Sequence, residues 1–202
     1  MKINNCLFLI LFGLCFQSFS QLSDPLFDEI IPQNKNKIEL LPDKMLITQR
    51  LFWGKNGILR KTGISKLDFL NRDKEIKVRR AMLKSHQVIG YLTFLGMLAQ
   101  GYLGGRLYNG ENSLYDIHKK MGKAVNISYF TGAALSLFAP PPILNKKKKG
   151  FNSIKAHKFL GSMHFSAMVA TNIFSDKNKK MHKNSAYVAF TSYALAIIVF
   201  KF

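Results

Sequence analysis

Four histidines, His86, His118, His157 and His182, each stand at the start of an apolar stretch, and the same register can be counted from each. Four residues on come Gly90, Gly122, Gly161 and Ala186; ten on, Gly96, Ser128, Ala167 and Ser192; fourteen on, Gln100, Gly132, Thr171 and Ala196. On a helix turning about 100° per residue, all three offsets fall within about 80° of the histidine. Each stretch is therefore expected to be a helix with one inward stripe, a histidine followed by small or weakly polar residues. The expected fold is all-α, an up-and-down four-helix bundle whose interior is open enough for something large and flat. Small residues at this spacing also let helices pack closely in membranes, which remains an alternative explanation of the stripe.

Composition points to a membrane. Nearly half of the 202 residues are apolar and they are gathered into blocks, while the lysines fall in short segments between the blocks. The net charge of +19 therefore reads as contact with anionic lipid headgroups and not with nucleic acid. Each apolar run is about sixteen residues against the roughly 20 that a bilayer needs, so the turn carrying each histidine is expected inside as well. That sets four imidazoles at the hydrocarbon edge, where a polar side chain is expensive and usually functional.

Both cysteines, Cys6 and Cys15, lie in the first twenty residues. Residues 1–20 have the pattern of a secretory signal: Lys2, an apolar core from Cys6 to Phe16, and small Ser18 and Ser20 before Gln21. With that segment removed no cysteine remains, which excludes disulfides, thiolate-held zinc, iron–sulfur clusters and covalent haem attachment. Residues 21–80 are expected outside the membrane and partly interfacial. Met45 to Arg60 is basic and amphipathic and holds the single tryptophan, Trp53, so it reads either as lying in the interface or as a small cap on the bundle. Residues 81–202 are expected to form the transmembrane domain, with spans at about 84–105, 117–139, 155–175 and 182–202. Asn71, a Ser113–Asp116 capping box, Asn152 or Ser153, and Asn178 are the expected helix starts, and Pro140 to Pro142 end the second span. A secretory signal exports the residues after it, so the N-terminal segment of this multi-pass protein of the plasma (inner) membrane is read as extracytoplasmic. The Lys146–Lys149 loop then lies on the same side, against the positive-inside rule.

Short loops make the spans alternate, so His86 and His157 share one face and His118 and His182 the other. Opposed across a bundle core, each pair can supply both axial ligands of one haem iron, which gives two non-covalent b-type haems in series. Gly90, Gly122 and Gly161 would clear room one turn from the ligands. Gln100 and Thr171 could bond a haem edge or propionate, and Lys119, Lys158 and Lys183 could neutralise propionates. His164 lies seven residues after His157 on nearly the same face, about 10 Å deeper. It is open to three roles, a haem-edge contact, an alternative ligand or a proton path, beside that of an ordinary core histidine.

The run His86-Gln-Val-Ile-Gly90 with Gln100 and Gly104, and the run Ala-His157-Lys-Phe-Leu-Gly161 with Asn172-Ile-Phe, resemble two helices of the cytochrome b561 family of transmembrane di-haem proteins. His118-Lys-Lys-Met-Gly122 is a weaker likeness, and His182 with Ala186 the weakest. The resemblance runs from about Lys84 to the C-terminus. It implies four histidine ligands, two haems b and electron transfer from a small donor such as quinol or ascorbate, or from a redox protein. The family usually has six spans, whereas four are evident here, and no ascorbate-binding pattern is present. Two other functions fit the sequence: a proton or metal permease using His164, Gln100 and Asn172, and a non-catalytic membrane subunit that docks a soluble partner.

Overall fold

The computed structural model of the chain describes residues 40–143 and 152–199, and among them all regular structure is helical. The expected signal at 1–20, the segment up to residue 39 and the Lys146–Lys149 loop lie outside the described residues. Two short helices, α1 (Ile47–Trp53) and α2 (Ile58–Lys61), precede four long ones: α3 (Phe69–Tyr108), α4 (Tyr115–Leu137), α5 (Ser153–Phe174) and α6 (Lys179–Ile198).

The helix starts follow local chemistry. Asp68 caps α3, accepting from the Asn71 backbone N–H at 2.8 Å, so the helix begins three residues before the expected Asn71 cap. A carboxylate suits the positive end of the helix dipole better than an amide does, and the Asn71 side-chain amide is itself donated to Asp68. The expected Ser113–Asp116 box does not form. Residues Asn112–Leu114 make a 3-10 turn that runs straight into α4, leaving no side-chain cap. Asn152 and Asn178 cap α5 and α6 as expected, each accepting a backbone N–H at 3.0 Å. In the α3–α4 turn Gly110 has φ +105°, a conformation that favours glycine.

The four long helices form two antiparallel hairpins, α3 with α4 and α5 with α6, each packed along its length, while contact between hairpins is sparse and runs chiefly from α3 to α6. Phe94 and Phe190 stack there, 5.6 Å between centroids. Asn126 and Asn172 exchange amide hydrogen bonds of 2.7 and 2.9 Å between α4 and α5. The core is small and central, built from Met97, Val125, Tyr129, Ala167, Met168 and Ala189. Large apolar side chains stand on the outer faces of all four helices, among them Leu92, Ile127, Phe159 and Tyr187, each more than half exposed. α3 is long and apolar enough to cross a membrane. Its 40 residues reach about 60 Å, twice a hydrocarbon core of about 30 Å, so the helix projects well past its partner.

That projection carries a cap. α4 stops at Leu137 before three prolines, which offer carbonyls and no N–H donors. Six consecutive carbonyls are met by side chains from α1 and α3. Thr48 donates to Leu137 (2.6 Å), Trp53 to Phe138 (2.9 Å) and Gln49 to Ala139 (3.1 Å). Arg79 donates to Pro140 (2.7 Å), and Arg72 to Pro141 (3.0 Å) and Pro142 (3.3 Å). Beneath them Glu75 accepts from Arg60, Arg72 and Ser65 in a buried cluster. The segment from Met45 to Arg60 is thus tied to the end of α4, which is the cap reading; Ile47 and Leu51 point away from it, exposed.

Candidate functional site

Each expected histidine pair comes together. The His86 and His157 rings lie 6.4 Å apart between centroids with planes at 87°, and those of His118 and His182 lie 6.2 Å apart at 82°. A metal–imidazole bond of about 2.0–2.1 Å, plus roughly 1.1 Å from nitrogen to ring centre, puts two imidazoles on opposite sides of one ion about 6–6.5 Å apart. Each pair matches that span, and perpendicular planes about a shared axis are compatible with it.

The hydrogen bonds of the rings follow the register read from the sequence. The Nδ1–H of His86 donates to the Gly132 carbonyl (2.8 Å), that of His157 to Ala196 (2.9 Å) and that of His182 to Thr171 (2.9 Å). The fourth ring, His118, meets the side chain of Gln100 at 3.2 Å. In all four cases the partner stands fourteen residues after the other histidine of the same hairpin. A donating Nδ1–H fixes the tautomer that carries its lone pair on Nε2, the second-sphere arrangement of metal-binding histidines. His118 is the exception: Gln100 Nε2 donates to its Nε2, while His118 Nδ1 and Gln100 Oε1 are both buried without a hydrogen-bond partner. These two orphans belong to one contact and are complementary. His118 thus differs from the other three, whose Nδ1 makes the hydrogen bond: here the ring nitrogen in contact with the partner side chain is Nε2.

Two glycines, Gly104 and Gly122, leave room that the His118–Gln100 contact needs. A Cβ on Gly104 would fall 3.0 Å from His118 Cε1, one on Gly122 3.0 Å from Gln100 Nε2, and one on Gly161 3.9 Å from His164 Nε2. Gly90 sits beside Tyr193, whose hydroxyl donates to the Gly90 carbonyl at 3.1 Å. The residues ten after each histidine serve packing instead. Gly96 faces Val125, Ser128 bonds Thr93 (2.9 Å), and Ala167 and Ser192 are buried between helices.

Other expected contacts are rearranged. The Thr171 hydroxyl turns to the Ala167 carbonyl of its own helix, 2.8 Å away. Lys183 lies over the Tyr108 ring at 3.8 Å and Lys119 over Tyr115 at 5.6 Å. His164, Gln100 and Asn172 do not meet: they bond Tyr129, His118 and Asn126 respectively. Sequence reasoning did not single out Tyr129 and Tyr193; an aromatic with a polar tip facing the interior of an apolar helix was the available signal. Among the described residues no group of three or more His, Cys, Asp or Glu could hold a metal ion.

Comparison of the chain with protein-family models, curated proteins and solved structures finds no match.

Proposed function

We propose that this chain is an integral membrane electron carrier that holds two non-covalent b-type haems, one between His86 and His157 and one between His118 and His182. The observation that carries the reading is the pair of ring separations, 6.4 and 6.2 Å, in a register that gives three of the four rings an acceptor for Nδ1–H on the other helix of the hairpin. The sparse contact between hairpins and the outward apolar side chains support a flat group inside and lipid outside. When bound, haem supplies one-electron chemistry at iron.

The residues of the chain do the rest. The backbone carbonyls of Gly132, Ala196 and Thr171 orient three imidazoles and make them better donors. Gly104 and Gly122 keep room beside His118 and Gln100, and the apolar helices exclude water. Two centres stacked between faces would carry electrons across a plasma (inner) membrane that the chain crosses several times. The donor would be a small reductant such as quinol or ascorbate, or a redox protein. The resemblance to the cytochrome b561 family, carried by the runs at His86 and His157, points the same way.

The test is a haem count per chain on detergent-purified protein. Wild type is expected to bind two. His86→Ala and His157→Ala should each lose the same one, His118→Ala and His182→Ala the other, and His164→Ala neither. A colourless wild type after haem-supplemented expression would overturn the reading.

A further inference from the structure

His164 belongs to neither pair, yet its ring is held by two tyrosines, Tyr129 and Tyr193. The Tyr129 phenol, 3% exposed, and His164 Nδ1 lie 2.6 Å apart, and we assign the phenol as donor because its O–H has no other acceptor among the described residues. Tyr193 packs against both, its ring 4.9 Å from His164 and 5.8 Å from Tyr129 between centroids, and its hydroxyl reaches the Gly90 carbonyl. All four long helices thus meet at one cluster. Its place is defined by two glycines, Gly90 and Gly161, each one turn after a histidine of the first pair.

With Nδ1 accepting, the imidazole proton sits on Nε2. That nitrogen lies 3.9 Å from where a Cβ on Gly161 would stand, one turn back along its own helix on the side of His157. The second pair is flanked instead by the Gln100 amide, whose Nε2 contacts His118, and by the Thr171 carbonyl, and among the described residues no tyrosine-held histidine stands beside it. An N–H dipole pointing its positive end at a redox centre in a dry interior stabilises the electron-rich state, and hydrogen bonding around a haem is one of the levers that set its potential.

We propose that Tyr129, His164 and Tyr193 position an N–H donor against the centre held by His86 and His157 and so make it the better electron acceptor of the two. The inference rests on the di-haem reading and adds a direction to it. With haem bound, an electron supplied by the external reductant would pass from the His118–His182 centre to the His86–His157 centre; no bond would form and no residue would be oxidised.

The experiment is a redox titration of the purified full chain that tracks the two centres separately, assigned with the His86→Ala and His118→Ala variants. In wild type the His86–His157 centre should have the higher midpoint. His164→Phe should lower that midpoint alone, by about tenfold in electron affinity or about 59 mV for one electron. Tyr129→Phe, which releases the tautomer without removing the ring, should lower it less, and His164→Gln, whose amide keeps an N–H, should restore most of the loss. If neither midpoint moves, if both move together, or if His164→Phe removes a haem, the inference is overturned. Should the phenylalanine variant misfold, Tyr129→Phe with His164→Gln carries the same comparison. Wild type without haem would overturn the parent reading as well, whereas two haems with unmoved potentials would overturn this inference alone.

Discussion

Individual glycines decide whether the rings can keep their places. Gly104 and Gly132 make a matched pair of tests. An added methyl on Gly104 meets His118 Cε1 at 3.0 Å, tighter than side chains normally pack, while one on Gly132 meets Ile89 at 3.4 Å and His86 Nδ1 at 3.9 Å, ordinary contacts. Gly104→Val is therefore expected to displace His118 and halve the haem content, with the first centre retained. Gly132→Ala should leave both centres in place. The haem stoichiometry of the two variants checks this. The histidine register was legible in the sequence because helical period and residue spacing alone determine which positions share a face. The partner atoms were not. At the fourteenth position the acceptor is a backbone carbonyl in three cases of four, and a carbonyl is present whatever the side chain, so the Thr171 hydroxyl was free to satisfy itself on Ala167.

At the scale of elements, the cap is a unit with its own acid limit. Burial pushes the Glu75 carboxyl up, but hydrogen bonds from Arg60, Ser65 and Arg72, with the Arg72 charge, outweigh it and hold the group below its ordinary value of about 4.5. A folded value below the unfolded one means that the stabilisation is complete above pH 4.5 and fades as the pH falls through the lower folded value. The single tryptophan, Trp53, donates to Phe138 within the cap, so its emission reports on docking. The emission is expected to stay constant down to pH 4.5 and to change below it. Glu75→Gln should undock the cap at neutral pH, since removing one member of a buried ion pair costs about 3–5 kcal/mol. Unchanged emission in that variant would contradict the assignment. Sequence patterning reached two readings of Met45 to Arg60, interface or cap, because an amphipathic basic segment satisfies both. What selects the cap is the need of six carbonyls before and within a triple-proline stretch for donors, a requirement set by residues some ninety positions away.

For the molecule as a whole, two hairpins meet at a thin seam, apolar side chains face out, and α3 is long and apolar enough to cross a membrane; the proposed reading sets the whole bundle across a bilayer. Asn126 with Asn172 and Tyr129 with His164 cross the seam, and such interhelical bonds contribute only about 0.6 kcal/mol each on average. On the proposed di-haem reading the seam depends on what fills it: removal of haem is expected to lower the thermal midpoint of the bundle far more than Asn126→Leu with Asn172→Leu does, as read by circular dichroism. The number of crossings can be read independently. In a chain with Cys6 and Cys15 replaced by serine, cysteines at Lys61 and Ile143 should react with an impermeant thiol reagent from one side, and those at Asn109 and Lys177 from the other. If α3 alone crosses, Ile143 would label with Asn109. The helical class and the four-element order were legible from period and breakers. The division into two hairpins was not, because small residues on every stripe permit close packing with either neighbour.

Low-temperature electron paramagnetic resonance of the oxidised, purified chain tests the ligation itself. Two low-spin ferric signals are expected, one removed by His86→Ala or His157→Ala and the other by His118→Ala or His182→Ala. A high-spin signal in wild type, or a single low-spin signal that survives loss of either pair, would contradict two irons each held between facing imidazoles.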